Sequence, residues 1–130
     1  MTEIRRTSRV GGVPDPTGPW NRSVSWNGLV FVSGVRGVDP QTGSPAGDDE
    51  RRLQLIFEHL RRILEQAGSS LQAVLSSTVY VTDMARLRPL VNEAYVRAFG
   101  ANLPTRTIVE VAALNQGDSV EIEVIAAQRP

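Results

Sequence analysis

Between Asp48 and Gly68 the apolar residues Leu53, Ile56, Phe57, Leu60, Ile63, Leu64 and Ala67 recur at helical spacing along one stripe. A helix patterned this way has one side to bury, so it must lie against another layer of structure. Asp48 or Asp49 can accept from the first free amides of the helix, and Gly68 stands where a glycine ends one. His59 falls between the stripe positions, on the polar side, and reads as a solvated helix residue.

The flanking segments supply the second layer. Ser23–Trp26 and the apolar run Leu29–Gly34 enclose Asn27-Gly28, a dipeptide suited to a tight hairpin turn. Ala73–Val81 is rich in β-branched residues and reads as a strand. Asp83 then caps a second helix whose apolar face holds Leu87, Leu90, Val91, Ala94, Tyr95 and Ala98, ending at Gly100. Pro89 is expected within its first turn or so, because deeper inside it removes an intrahelical hydrogen bond. Thr105–Ala113 and Ser119–Ala127 read as further strands, and the Gly- and Pro-rich stretches 11–19 and 37–49 as loops.

The order is β-β-α-β-α-β-β, an α+β domain over residues 1–130 with a mixed sheet and two helices on one of its faces. Residues 1–13 carry no clear pattern. The strands, however, are apolar on both faces: Ile108 as well as Val109, Ile125 as well as Val124. The uncovered face implies an apolar patch that association of identical chains would bury.

Composition narrows the chemistry. The 14 basic residues are all arginine and are balanced by 14 acidic ones, for a net charge of zero. That argues against nucleic acid and membrane surfaces as partners, since both require a basic field. The arginines of 51–62 and 86–88 are interleaved with glutamate and apolar residues, as on solvated helix faces. Without lysine there is no Schiff base, and without cysteine there is no thiolate, disulfide or thiolate metal site. One histidine cannot build a His-rich metal site. Carboxylates, hydroxyls, arginine and backbone groups remain. No apolar run approaches the ~20 residues of a membrane helix, and 1–13 lacks the apolar core of a secretion signal. A cytoplasmic location is the default reading.

Arg106 follows Pro104 at the start of a strand, where its fork can hold a carboxylate bidentately or form an ion pair with Glu110 or Glu121. Glu121 and Glu123 share a strand face. They are either its solvated side or include a carboxyl of raised pKa that handles a proton or a water. Ser33-Gly34 allows close backbone approach to a ligand. Trp20 and Trp26 read as core or interface anchors. Asn92 and Tyr95, three apart on the second helix, are placed to share a hydrogen-bond network.

Several segments together resemble the Rid/YjgF family of reactive-intermediate deaminases. Gly18-Pro19-Trp20 is similar to its Gly-Pro-aromatic turn. Ser33-Gly34, Asp39-Pro40 and Thr42-Gly43 are similar to its strand-loop signature. Ala67-Gly68, Thr78–Met84 and Val91–Tyr95 follow in order. Most specific are Pro104-Thr105-Arg106-Thr107 and Val120–Ala126. The resemblance implies a chorismate-mutase-like fold and a homotrimer with sites in clefts between subunits. It also implies hydrolysis of 2-aminoacrylate-type enamines and their imine tautomers to 2-keto acids and ammonia, without metal or organic cofactor. Arg106 matches the carboxylate-binding arginine, and Glu121 matches the acid associated with the water. Trp20, Ser33, Gly34, Asn92, Tyr95, Thr107 and Ile108 fall around the implied substrate site. Trp20 stands where the family usually has tyrosine, Val35 where glutamine is frequent and Ile108 where cysteine is common, departures that bear on substrate range. Two other classes fit the same resemblance: a ligand-sensing or protein-binding module without turnover, and a ribonuclease or translation inhibitor.

Overall fold

A computed structural model describes residues 3–129. The strands are β1 (Arg5–Thr7), β2 (Ser23–Trp26), β3 (Leu29–Arg36), β4 (Val74–Val81), β5 (Thr105–Glu110) and β6 (Val120–Ala127). They form one sheet in the order β1-β2-β3-β6-β4-β5. Only β4 and β5 pair in parallel. Helices α1 (Asp49–Gln66) and α2 (Met84–Phe99) connect β3 to β4 and β4 to β5, as parallel connections require. The α+β architecture with a mixed sheet read from the sequence is therefore present, with one strand more.

That strand lies in the segment without a pattern. Arg5–Thr7 pairs with Ser23–Ser25 as a short edge strand, and Val10 and Val13 beyond it are buried in the core. Three polar residues on a sheet edge carry no alternation to detect. The start of the segment, Met1 and Thr2, lies outside the described residues.

The local signals held. Asn27 and Gly28 both have positive φ, 51° and 78°, and close the β2–β3 hairpin. Asp48 caps α1 by accepting from the Arg51 amide at 2.8 Å, and Asp83 caps α2 by accepting from the Arg86 amide at 3.2 Å. Pro89 is a departure: it sits in the second turn of α2, not the first. The amide it lacks would have served the carbonyl of Ala85, which is exposed at that end of the helix.

The core fills the space between the helices and one sheet face. Val30, Val32 and Val35 of β3, Val79 and Val81 of β4, and Val120, Ile122 and Val124 of β6 point into it. Phe57, Tyr95 and Phe99 join the two helices edge to face, with centroids 5.1–5.8 Å apart. His59 belongs to this buried set, against the sequence reading: it is 2% exposed. The loop after β3 covers that flank of α1. Val38 O accepts from His59 Nε2 at 2.8 Å, Arg52 Nε donates to Ala46 O, and Gly37 lies against the Arg52 backbone.

The opposite sheet face carries Phe31 and Val109, with Trp26 at its margin, all more than a third exposed. Nothing among the described residues covers it. No helix among the described residues is long and apolar enough to cross a membrane.

Candidate active site

Ser33 and Gly34 form a bulge. Val32 pairs with Val124 and Val35 with Ile122, so two residues of β3 oppose Glu123 alone. The bulge is tied down on its other side: the Ser33 amide donates to Arg22 O at 3.1 Å, and its hydroxyl donates to Asn21 O. It brings the β3 backbone against the neighbouring strand's side chain. A Cβ built on Gly34 would lie 1.9 Å from Glu121 Oε2. Only glycine leaves that carboxylate its place.

Glu121 lies on the sheet face away from the helices, since Val120 and Ile122 on either side of it are fully buried beneath them. Burial pushes its carboxyl above the ordinary carboxylate value; Arg36 opposes this, and Asp118 and Glu123 add to it. Glu123 shares the face but is occupied as acceptor of the Tyr80 hydroxyl, so the paired acids have different surroundings.

Glu121 and Gly34 open onto a cleft of about 640 Å³ whose other walls include Trp20, Arg22, Ser33 and Arg36. Arg36 donates to Asp118 Oδ2 at 2.8 Å and to Gln116 Oε1 at 2.9 Å. Asp118 has a fully buried side chain and is also approached by Arg52 at 3.6 Å. Arg22 is buried, donates through Nε to Pro14 O at 3.1 Å, and lies over the Trp20 ring at 5.1 Å. Sequence reasoning passed over both arginines. Their signal was available, since each stands two residues past a motif residue, Arg22 after Trp20 and Arg36 after Gly34.

Arg106 is not in this cleft. It pairs with Ser77 across β4, and Ser77 faces the core, so Arg106, Ile108 and Glu110 lie on the helix side of the sheet. Thr107 lies on the open side. Arg106 Nη1 donates to Asn92 Oδ1 at 2.8 Å, and its guanidinium stacks 5.0 Å from the Tyr95 ring. The Tyr95 hydroxyl donates to Ser77 Oγ at 2.8 Å, and Ser77 Oγ donates to Thr105 O, locking the ring beneath the arginine. Asn92 and Tyr95 do not share a hydrogen-bond network: each holds Arg106 separately, Asn92 by a hydrogen bond and Tyr95 by its ring, while the Tyr95 hydroxyl is engaged by Ser77. Neither acid considered for an ion pair is its partner: Glu110 accepts from the Met84 amide at 2.7 Å, and Glu121 is on the other face.

The candidate residues therefore form two groups within one chain. Trp20, Ser33, Gly34 and Glu121 line the cleft, whereas Asn92, Tyr95, Arg106 and Ile108 gather at the β5 edge. One group has an acid with a raised pKa and a backbone bulge. The other presents a preorganised cation.

Known proteins resemble the chain over most of its length. The family model described as Endoribonuclease L-PSP matches residues 11–128. The 2-iminobutanoate/2-iminopropanoate deaminase of Mus musculus is 36% identical over 129 residues, 98% of this chain and 94% of that protein. A RutC family protein of Pyrococcus abyssi is 36% identical over 114 residues, 87% of this chain and 89% of that one. The crystal structure of RidA from an Antarctic Psychrobacter superposes with a TM-score of 0.89 at 32% identity, covering 95% of this chain and 99% of that one.

Proposed function

Because the chain belongs to the endoribonuclease L-PSP family, to which the Rid/YjgF proteins are assigned, we propose that it hydrolyses small carboxylate-bearing imines and enamines to 2-keto acids and ammonia. The observation that carries this reading is the division of the site. Arg106 is aimed outward at one sheet edge, and Glu121 faces a cleft on the opposite side of the sheet. A carboxylate clamp and a proton carrier that cannot meet within one chain can meet between two. The uncovered apolar sheet face supports a cyclic assembly, and the homotrimer is the form we propose.

In the proposed reaction Arg106 of one chain takes the substrate carboxylate in its fork, held by Asn92 and the Tyr95 ring. The imine carbon then lies against Gly34 and Glu121 of the neighbour. An enamine first takes a proton on its terminal carbon and gives one up from its nitrogen, becoming the imine. A water adds to the imine carbon and passes a proton to Glu121, which hands it to the imine nitrogen and leaves a neutral carbinolamine. Glu121 then takes the proton of the new hydroxyl and delivers it to the amine, the carbon–nitrogen bond breaks with its electron pair on nitrogen, and the carbonyl forms as ammonia leaves. The sum is imine plus water giving keto acid plus ammonia. A carboxyl whose burial favours the protonated form suits both halves of this cycle. Trp20 bounds the side-chain end of the cleft.

The family's ribonuclease name finds less support. The single histidine is buried in the core with Nε2 bound to a backbone carbonyl, out of reach of any phosphodiester. The test is acceleration of imine loss: an amino-acid oxidase generates the imine, semicarbazide traps what survives, and the protein lowers the trapped fraction. Failure with every amino acid supplied would overturn the deaminase reading in favour of a non-catalytic ligand-binding assembly.

A further inference from the structure

Arg22 is 7% exposed, yet among the described residues it forms no ion pair. A buried guanidinium is costly unless an anion compensates it, and a carbonyl alone does not. Burial lowers its hold on its proton, only partly offset by Asp15. Asp15 is itself turned toward Arg9, 3.8 Å away. The contrast within the same cleft is Arg36, whose charge Asp118 meets at 2.8 Å. Trp20 beneath the Arg22 guanidinium and Pro14 O at its edge hold the fork in place. Arg22, Trp20, Gly34 and Glu121 wall one cleft.

We propose that Arg22 is the counter-charge for a second anionic group on the substrate, so that the cleft prefers imines of dicarboxylic amino acids over those with uncharged side chains. This rests on the deaminase reading for the reaction, but not for binding. The neighbouring chain's Arg106 takes the carboxylate next to the imine carbon, Glu121 serves the imine carbon, and Arg22 takes the distal carboxylate. The rigid, planar fork favours a carboxylate over a single lone pair.

Two measurements test it on the intact protein. Titration calorimetry compares succinate with butanoate as stable probes, and kcat/KM is compared for oxidase-generated 2-iminosuccinate and 2-iminobutanoate. Succinate is expected to bind roughly 10- to 100-fold tighter than butanoate, the range of a charge-assisted pair. The kcat/KM ratio should favour the dicarboxylic imine by a similar factor. In Arg22→Gln both ratios collapse toward one, and Arg22→Lys, which keeps the charge in a buried site, recovers part of each. Equal binding of the two probes by the unmodified protein would overturn the proposal. So would an Arg22→Gln variant that folds but weakens both probes alike, the signature of a structural role or of a carboxylate supplied by a neighbouring chain. Arg22-dependent preference for succinate with no imine turned over would sink the deaminase reading and leave the Arg22 site standing. Turnover without preference would do the reverse.

Discussion

The carboxylate of Glu121 occupies the space that a side chain at Gly34 would need, Oε2 lying 1.9 Å from where a Cβ would stand. The obstructing atoms are the far end of a flexible side chain, so Gly34→Ala is expected to fold with the carboxylate swung aside. Misplacing a reacting group by about 1 Å costs on the order of 10²-fold in rate. Imine hydrolysis by Gly34→Ala should fall by that much while thermal unfolding shifts little. Combining it with Glu121→Gln should add almost nothing, because both changes remove one group. Additive losses would mean that the two residues act independently.

The raised pKa of Glu121 gives the pH profile its sign. The proposed base is the ionised carboxylate, so kcat/KM should rise with pH on an acid limb centred above the ordinary carboxylate value of 4.5. Glu121→Gln should lack that limb. Stability runs the other way. Between the unfolded and folded pKa values the native state binds more protons than the unfolded one, so ionising Glu121 costs stability as pH rises. Glu121→Gln should therefore gain stability relative to the unmodified protein as pH passes upward through that window, which urea titrations at several pH values would measure.

His59 has the opposite shift, lowered chiefly by burial. Its native form is neutral, with Nε2 donating to Val38 O and Nδ1 without a partner. Below the unfolded value of 6.5 the unfolded chain takes up the proton first, so stability falls as the solution is acidified from there. His59→Gln should flatten this part of the stability curve.

Asp118 ties the floor of the cleft to the sheet. Its side chain is fully buried, with Arg36 at 2.8 Å, Arg52 at 3.6 Å and the Ser119 amide donating to Oδ1 at 2.7 Å. Removing one partner of such a cluster strands buried charge. Asp118→Ala is expected to lose roughly 3–5 kcal/mol in denaturant unfolding.

What could be read in advance follows from how local each signal is. The stripe of α1, the Asp48 and Asp83 caps and the Asn27-Gly28 turn depend on neighbours a few residues away, and all were legible. Burial of His59 depends on a loop that folds over the helix from residues 37–47, and no helical period reports that. The bulge at Ser33-Gly34 required the register of β3 against β6, a pairing between segments far apart in sequence. Strand alternation puts residues 106, 108 and 110 on one face, but whether Arg106 and Glu121 share a cleft turned on the strand between them. β4 lies there, with Arg106 opposite Ser77 and Glu121 opposite Tyr80. Ser77 faces the helices and Tyr80 does not, which settles the relation within one chain.

That separation yields a prediction no single-chain site could satisfy. Arg106→Ala and Glu121→Gln should each abolish most imine hydrolysis, and Arg106→Lys should not restore it, because the stacked, planar fork is lost. If each cleft draws Arg106 from one chain and Glu121 from its neighbour, the two inactive variants are complementary. Unfolding them together and refolding the mixture should assemble clefts in which a Glu121→Gln chain supplies the intact arginine and an Arg106→Ala chain the intact glutamate. In an equal mixture with random assembly about a quarter of the clefts would be complete, so activity should return to roughly 25% of the unmodified protein. Refolded separately and then combined without exchange, the same variants should stay inactive. A site built within one chain would give no recovery in either case, and it would require Arg106 to leave Asn92 and Tyr95 and cross to the other side of the sheet.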